Sequence, residues 1–269
     1  MRRPALFLLT LIPFTVTHIA TAQVHPSKES LSGLYPGAAY SPYAQRAFPS
    51  RPLWGDTHLH TAMSVDAGLF GARLGLEDAY RFARGEEVVS SSGQPVKLSR
   101  PLDWLVIADH SDAMGLVTDL ANASPKVTQY AQGKRWSDGM RAGGQKAVDT
   151  ALDLITNFSQ GNIDPDLLAD YSPGSKGYAS TWEKVVKAAE AFDDPGTFSA
   201  IIGFEWTSLV KGNNLHRNVI FRDGAEKAGQ VVPFTTQPPV GSTDPLELYK
   251  WLENYETKTG GSVLAVAHN

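Results

Sequence analysis

Four apolar runs constrain the fold of this chain more than any other feature. Residues 102–108 (LDWLVIA) are almost continuously apolar, and residues 200–204 and 262–267 repeat the pattern. A fourth and shorter run covers residues 218–221. Runs of this length are typical of strands that are buried on both faces of a parallel sheet. Helices must then cover the sheet, so the runs predict an α/β fold.

Between these runs the apolar residues recur at helical spacing. The pattern predicts helices at residues 76–83, within residues 138–158, at residues 180–192 and at residues 244–255. Ser180 and Glu183 have the spacing of a capping box, and Asp244 before a proline is a typical helix start. Residues 53–57 are a candidate first strand, and the polar residues 90–99 a candidate loop. Strands that alternate with helices predict a largely parallel sheet.

The N-terminal segment has the composition of a signal peptide. Residues 1–22 combine a basic start, an apolar stretch and the small-residue pattern Ala20-Thr21-Ala22 before a cleavage site. The stretch is too short for a spanning helix, so we expect cleavage, export to a bacterial periplasm or beyond, and no stable membrane insertion afterwards. An uncleaved anchor is the alternative. Residues 23–50, which hold four prolines, predict an extended arm, and residues 51–269 the folded domain.

Charge and cysteine content narrow the chemistry. The net charge is −4, and removal of the leader takes away Arg2 and Arg3 and no acid. An acidic protein is a poor binder of nucleic acid, so we expect no nucleic-acid partner. The chain has no cysteine, which excludes disulfides, thiolate nucleophiles and thiolate metal ligands. Any metal must be held by imidazole and carboxylate, a ligand set that suits zinc, manganese or iron.

Side chains that ligate metals stand at the ends of the predicted strands. His58 and His60 are two residues apart, so in an extended chain they point to the same side. In α/β sheets, ligands bind where the carboxyl ends of the strands converge. The residues that follow predicted strands are His58, His60, Asp109, His110, Glu205 and His268, whereas His216 begins its strand. These positions predict one metal site at this edge of the sheet.

In their order and spacing these residues resemble the motifs of the polymerase and histidinol phosphatase (PHP) superfamily, and in detail its DUF3604 branch. The motifs are a His-x-His pair, an Asp-His pair after an apolar strand, a Gly-x-Glu and a strand that ends in Ala-His. The resemblance runs from about Trp54 to the last residue. It implies a metal-ligand set of His58, His60, Asp66, His110, Glu205, His216 and His268.

The resemblance also implies the fold and the metal content. PHP domains are distorted (β/α)7 barrels that hold two or three divalent ions, here Mn, Zn or Fe. The family pattern includes a late Asp-x-His pair on a final strand, which does not occur before Asn269. We therefore expect an incomplete barrel that is truncated before its last strands, and a fragment whose own activity is uncertain.

The mechanism that the resemblance implies is hydrolysis by a metal-activated water, with a phosphate ester as the expected small anionic substrate. Glu205 suits a position between two ions, because a carboxylate has two oxygens. Asp56 and Asp109 are expected to accept the second ring N–H of a metal-bound histidine. The residues expected to meet an anionic substrate are Lys211, Asn213, Asn214 and Arg217.

Alternatives remain for single residues and for the function. The residue alternatives are His58 and His60 as exposed strand residues, Glu205 as an acid paired with Arg217, His216 as a structural histidine, Asp66 as a turn residue, and Lys211 and Arg217 as solvated charges. The same metal-activated water could hydrolyse a sulfate ester or an amide, because the ligands define the nucleophile and not the leaving group. A non-catalytic metal-binding module with this fold is the third possibility.

Overall fold

The computed structural model of the protein describes residues 51–268. The predicted signal peptide (1–22) and arm (23–50) lie outside the described residues and stay predictions. Eight strands are present in this part of the chain. They are β1 (Gly55–Leu59), β2 (Val88–Val89), β3 (Pro95–Val96), β4 (Trp104–Ile107), β5 (Ser199–Ile201), β6 (Gly203–Ser208), β7 (Leu215–Phe221) and β8 (Val263–Ala267).

β1, β4 and β5 form a three-stranded parallel sheet in the order β1-β4-β5. Gly55 pairs with Trp104, which in turn pairs with Ser199. The predicted run at residues 102–108 is confirmed as a buried strand, because Leu105, Val106 and Ile107 are all at most 1% exposed. The predicted mixed α/β class is therefore correct.

The predicted parallel direction is wrong for the last strands. β6, β7 and β8 form a second, antiparallel three-stranded sheet. The run at residues 262–267, which we expected to be buried on both faces, is only half-covered, and Leu264 is 59% exposed. An apolar run predicts that a strand is buried, but it does not predict the direction of the strand. Here a short 3-10 turn at Val210–Gly212 reverses the chain, so β7 runs antiparallel to β6.

The two sheets meet at the end of β4. The run at residues 200–204 is divided at Ile202 into β5, which pairs with β4, and β6, which pairs with β7. An isolated parallel bridge joins His110 to Glu205, and Ser111 N donates to Glu205 O over 2.8 Å. Between residues 51 and 268 the strand pairs form open sheets, and a closed barrel is not seen.

Helices occupy most of the remaining described chain. They are α1 (Val65–Leu69), α2 (Leu76–Ala83), α3 (Leu116–Ala121), α4 (Pro125–Thr128), α5 (Ala131–Ala142), α6 (Gly144–Ser159), α7 (Pro165–Ala169), α8 (Lys176–Phe192), α9 (Ala225–Ala228) and α10 (Pro245–Thr259). None of the helices within residues 51–268 has the length and apolar content that a bilayer span requires.

Several predicted boundaries differ from the structure. Helix α2 has the predicted bounds, whereas the single helix within 138–158 is two helices that meet at Gly143, with φ of 69°. Helix α8 starts four residues before Ser180, so the predicted capping box does not form, and Ser175 caps the helix through Tyr178 N instead. Asp244 caps α10 as predicted. The predicted loop at 90–99 carries part of the β2–β3 hairpin.

Two apolar cores hold the described domain together. The larger core joins α2, α8 and α10 to the strands, with Trp182, Phe204 and Trp206 among its buried side chains. The smaller core lies among α3 to α7, with Trp136 and Leu154 at its centre. We call α3 to α7, residues 116–169, the helical lobe. It is inserted between β4 and α8, and it begins six residues after His110.

Candidate metal centre

Glu205 is the centre of a histidine cluster. Its side chain is fully buried on β6, and each carboxylate oxygen faces a different set of imidazole nitrogens. Oε2 lies 3.0 Å from His60 Nε2 and 3.6 Å from both His58 Nε2 and His110 Nδ1. Oε1 is 2.9 Å from His268 Nε2 and in close contact with His216 Nδ1. One carboxylate thus contacts all five predicted histidines.

The first strand supplies two of these rings. His58 lies in β1 and His60 directly after it, because β1 is shifted two residues from its predicted position. Their side chains point to the same side, as the two-residue spacing predicts, and the ring centroids are 4.8 Å apart. His58 is the more exposed of the two, with 40% of its side chain accessible against 10% for His60.

The direction of β7 brings His216 to the same edge. Because β7 runs antiparallel to β6, its first residues lie beside the last residues of β6, and His216 pairs with Thr207. β8 reverses again, so its carboxyl end, followed by His268, returns to the same edge. A histidine at the start of a strand and another after a strand end therefore meet at one carboxylate.

Gly203 allows this close approach of three strands. A Cβ atom at this position would lie 2.5 Å from Val106 Cγ1 and 2.8 Å from the carbonyl oxygen of Val219. Because glycine has no side chain, the backbone of β6 can lie close to both β4 and β7 at this position. The glycine of the Gly-x-Glu motif thus has a packing role, two residues before Glu205.

Asp66 contacts two of the histidines, His60 and His110, with its two carboxylate oxygens. Its Oδ1 atom is 3.0 Å from His60 Nδ1, and its Oδ2 atom is 3.4 Å from His110 Nε2. Ser64 supports this arrangement, because its hydroxyl donates to Asp66 Oδ1 over 2.7 Å and accepts from His110 N over 3.2 Å. Asp66 therefore belongs to the cluster and is more than a turn residue.

The pKa values follow from this crowding of carboxylates and imidazoles. Burial favours the neutral ring of His60, but the Asp66 and Glu205 carboxylates outweigh it and raise the pKa of His60 to about 10. Burial opposes ionisation of Glu205, yet the rings of His216 and His60 hold its pKa well below its usual range. The Asp66 pKa is lowered in the same way by His110 and His60. Burial lowers the pKa of the more exposed His58.

The cluster has the composition and spacing of a site that could hold metal ions. Three sets of side chains each place one ligand atom within 4.8 Å of the others. These sets are His58, Glu205 and His268; His60, Asp66 and His110; and His110, Glu205 and His216. Nitrogen and oxygen donors of this kind suit zinc, manganese or iron.

Two buried atoms that lack a hydrogen bond test the fit. His60 Nε2 and Glu205 Oε2 are buried, lie 3.0 Å apart and have no hydrogen bond. Buried polar atoms left unpaired cost about 1–3 kcal/mol each. A divalent cation bound by both atoms would satisfy them, and their separation of 3.0 Å is compatible with two ligands of one ion.

The two acids expected to orient histidine rings bind elsewhere. Asp56 Oδ1 accepts from the backbone N–H of His58 over 2.8 Å, not from a ring. Asp109 is buried, and its two oxygens accept from Thr61 N at 2.6 Å and Thr61 Oγ1 at 2.7 Å. Burial raises the pKa of Asp109. Asp109 thus connects the segment after β1 to the end of β4. Because Thr61 supplies donors to both of its oxygens, the buried carboxylate is satisfied without a histidine ring.

Of the four residues expected to meet a substrate, Asn214 lines a cavity beside the cluster. This cavity of about 190 Å³ is also lined by Asp66, His110 and His216. Asn213 Nδ2 donates instead to Val210 O, and the Arg217 guanidinium donates to Tyr249 Oη at 3.2 Å. Arg217 is turned away because successive residues of β7 face opposite sides of the sheet, so the alternative of a Glu205–Arg217 pair is wrong. Lys211 lies in the 3-10 turn with φ of 55°.

The sequence interpretation missed two residues of the site. Thr207 Oγ1 lies 2.8 Å from His110 Nδ1 and 3.1 Å from His216 Nδ1. Ser64 contacts both His60 and Asp66. Thr207 could have been found, because residues two apart on a strand share a face and Thr207 follows Glu205 by two. No local pattern identifies Ser64.

A larger cavity, of about 580 Å³, lies away from the histidines. It is lined by residues at the start of β5 and β8 and after β7, among them Ser199, Arg222 and Ser262. Ligand sites of α/β sheets lie at the carboxyl ends of the strands, and the starts of β5 and β8 are the other end. The histidine cluster, and not the larger cavity, is therefore the candidate site.

Comparison with known proteins places the chain in a family. The family described as "Protein of unknown function (DUF3604)" matches residues 47–269, a stretch that includes every residue of the cluster. Among curated proteins and solved structures, nothing matches the chain. On the basis of this match over most of its length, the chain belongs to the DUF3604 family.

Proposed function

We propose that the protein is an exported metal-dependent hydrolase that cleaves phosphate esters with a metal-activated water. The observation that carries the proposal is the position of Glu205, whose two oxygens face two different sets of histidines. A carboxylate in this position suits a site with more than one ion. Two or three divalent ions, Mn, Zn or Fe, are the proposed cofactors.

The two proposed carboxylate ligands are ready to bind cations at neutral pH, whereas the His60 ring, with a pKa of about 10, gives up its proton when a metal binds. Because the pKa values of Glu205 and Asp66 are held well below their usual ranges, both carboxylates are ionised. The rings would supply the remaining donors, namely His58, His60, His110, His216 and His268. Bound divalent ions would lower the pKa of a coordinated water towards neutrality and neutralise charge on the phosphoryl oxygens.

The reaction we propose is simple hydrolysis. A bond forms between the water oxygen and phosphorus, the bond from phosphorus to the ester oxygen breaks, and a water proton ends on the released alcohol or phenol. Asn214 lines the adjacent cavity, and we propose that its side-chain amide N–H donates to the substrate. Thr207 holds the His110 and His216 rings in fixed orientations through its hydroxyl.

Two wider assignments belong to the same proposal. The ordered motifs support membership of the PHP superfamily, with the two described sheets as part of a PHP-type barrel. The bridge between His110 and Glu205, which continues the strand pairing from one sheet into the next, is the feature that favours this arrangement. The leader-like residues 1–22 support export.

Metal content is the first test. The purified protein is dialysed against Mn²⁺ or Zn²⁺, freed of excess ion and analysed by mass spectrometry of the elements. We expect two to three equivalents per chain in the unaltered protein and fewer in Glu205→Gln. The matched control is Glu77→Gln, an exposed glutamate on α2, which should bind metal as the unaltered protein does. Absence of bound metal would refute the proposal.

Hydrolysis is the second test. With Mn²⁺ or Zn²⁺ the protein should hydrolyse an aryl phosphate, and His58→Ala and Glu205→Ala should each remove nearly all of the rate. Unchanged rates in both variants would place the reaction elsewhere. Sulfate-ester and amide substrates are assayed in parallel, because activity on these alone would favour the alternative bond. Bound metal with no turnover on any substrate would favour a non-catalytic metal-binding module.

A further inference from the structure

The cavity beside the metal cluster is lined by both polar and apolar side chains. Its polar lining residues are Asp66, His110, Asp112, Thr207, Asn214 and His216. The other four lining residues are apolar, and we call them the apolar wall; they are Val65, Ile155, Phe158 and Leu209. A phosphate group needs none of these four contacts. The apolar wall therefore points to a second part of the ligand.

The apolar wall comes from three separate parts of the chain. Val65 begins α1, and Leu209 follows β6 just before the 3-10 turn. Ile155 and Phe158 lie three residues apart on α6 of the helical lobe, so they share one face of the helix. They also pack against the core of the lobe, which holds them in place. The helical lobe thus builds one side of the cavity without supplying a metal ligand.

The size of the cavity limits the substituent that can bind against the apolar wall. The volume of the whole cavity is about 190 Å³. An apolar cavity of about 150 Å³ lined by leucine, isoleucine and phenylalanine is known to accept one benzene molecule. The cavity as a whole therefore has room for about one aromatic ring or a branched alkyl group of similar size.

We propose that the substrate is a phosphate monoester with an apolar, ring-sized substituent, which binds against Val65, Ile155, Phe158 and Leu209 while the phosphoryl group faces the metal ligands. The inference rests on the proposed phosphoesterase function and specifies its substrate class. Transfer of an apolar group from water to such a wall is favourable in proportion to the area buried. Sugar phosphates and other fully polar esters leave that wall in contact with water or with hydroxyl groups.

Binding of two phosphonates separates the apolar contact from chemistry. Phenylphosphonate and methylphosphonate carry the same anionic head group, and their carbon–phosphorus bonds are not esters. Titration calorimetry with the metal-loaded protein should give a Kd about tenfold or more lower for phenylphosphonate. Equal affinities for the two compounds would overturn the inference while leaving the phosphoesterase proposal in place.

A pair of neighbouring variants locates the effect. Leu209→Ser removes one apolar group from the wall, whereas Val210→Ser changes an exposed side chain, 48% accessible, that does not line the cavity. We expect the preference for phenylphosphonate to fall at least about threefold in Leu209→Ser and to stay unchanged in Val210→Ser. If the preference for phenylphosphonate falls equally in both variants, or falls in neither, the result would count against the proposed apolar wall. Circular dichroism verifies that each variant is folded. If Leu209→Ser does not fold, the ratio of the two phosphonate Kd values in the unaltered protein still decides the question.

The outcomes distinguish the two proposals. Failure to bind either phosphonate, together with absence of hydrolysis of any phosphate ester, would overturn the phosphoesterase function and the substrate class with it. Hydrolysis of phosphate esters with a methylphosphonate Kd equal to or below that of phenylphosphonate would overturn the substrate class alone.

Discussion

Thr207 lies directly opposite His216 in the β6–β7 pair, and its hydroxyl oxygen is 3.1 Å from His216 Nδ1. The same oxygen is 2.8 Å from His110 Nδ1. A hydroxyl has one proton, so it can donate to only one of the two rings. Glu205, in contact with His216 Nδ1, favours a proton on that nitrogen and takes its hydrogen bond. His216 Nδ1 then has no free lone pair, so the Thr207 hydroxyl donates to His110 Nδ1.

Loss of this hydroxyl should weaken metal binding. Thr207→Val keeps the shape of the side chain and its suitability for a strand, but both rings lose a shared partner. Changes in groups that orient metal-binding histidines lower metal affinity roughly 10–100-fold. Titration of the metal-free protein with Zn²⁺ measures the affinity. Thr207→Ser, which keeps the hydroxyl, should bind nearly as tightly as the unaltered protein, and equal affinity in the valine variant would show that Thr207 does not orient the rings.

The stability of the metal-free protein should depend on pH through His60. Its pKa is raised to about 10 in the folded state, from 6.5 as the ordinary value. The folded state therefore binds the proton more tightly, and this stabilisation is complete below pH 6.5 and is lost as the pH rises towards 10. Urea unfolding in the presence of a chelator should show a fall in the free energy of unfolding across this range. His60→Gln should flatten the fall, and an equally steep fall in that variant would assign it to other groups.

Enlarging Gly203 should destabilise the fold. Gly203→Ala places a methyl group against Val106 and the backbone of Val219, both of which belong to paired strands and cannot move independently. Overpacking of this kind costs about 1–3 kcal/mol. Denaturant unfolding measures the change. Gly75→Ala adds the same methyl group in open space at the start of α2, so it should cost clearly less.

The start of α8 gives a direct test of helix capping. Ser175 Oγ accepts from Tyr178 N over 3.0 Å, whereas Ser180 lies within the helix and is exposed. Ser175→Ala should lower the free energy of unfolding by about 1 kcal/mol. Ser180→Ala should leave it nearly unchanged, because alanine is the better helix former. Thermal or chemical unfolding measures both variants. A larger loss of stability in Ser180→Ala than in Ser175→Ala would support the capping box that the sequence predicts at Ser180.

Local patterns predicted the parts of the fold that local chemistry controls. The apolar run that contains β4 became a buried strand, and the periodic pattern of α2 gave its bounds. The helix boundary at Gly143 was missed, because the apolar spacing continues across a residue whose positive φ interrupts the helix. The start of α8 was missed because two serines can each cap a helix, and packing of Tyr178 in the core selects the earlier one.

The sequence by itself determined which residues could ligate a metal and that most of them follow strands, because residue chemistry and apolar periodicity are local properties. The tertiary structure alone decided that β7 runs antiparallel, which places His216 beside Thr207, and that Glu205 stands between the two sets of rings. It also brought Ile155 and Phe158 of the helical lobe to the site. Strand direction and the contacts of an inserted lobe depend on pairings between distant residues, and no local pattern in the chain records them.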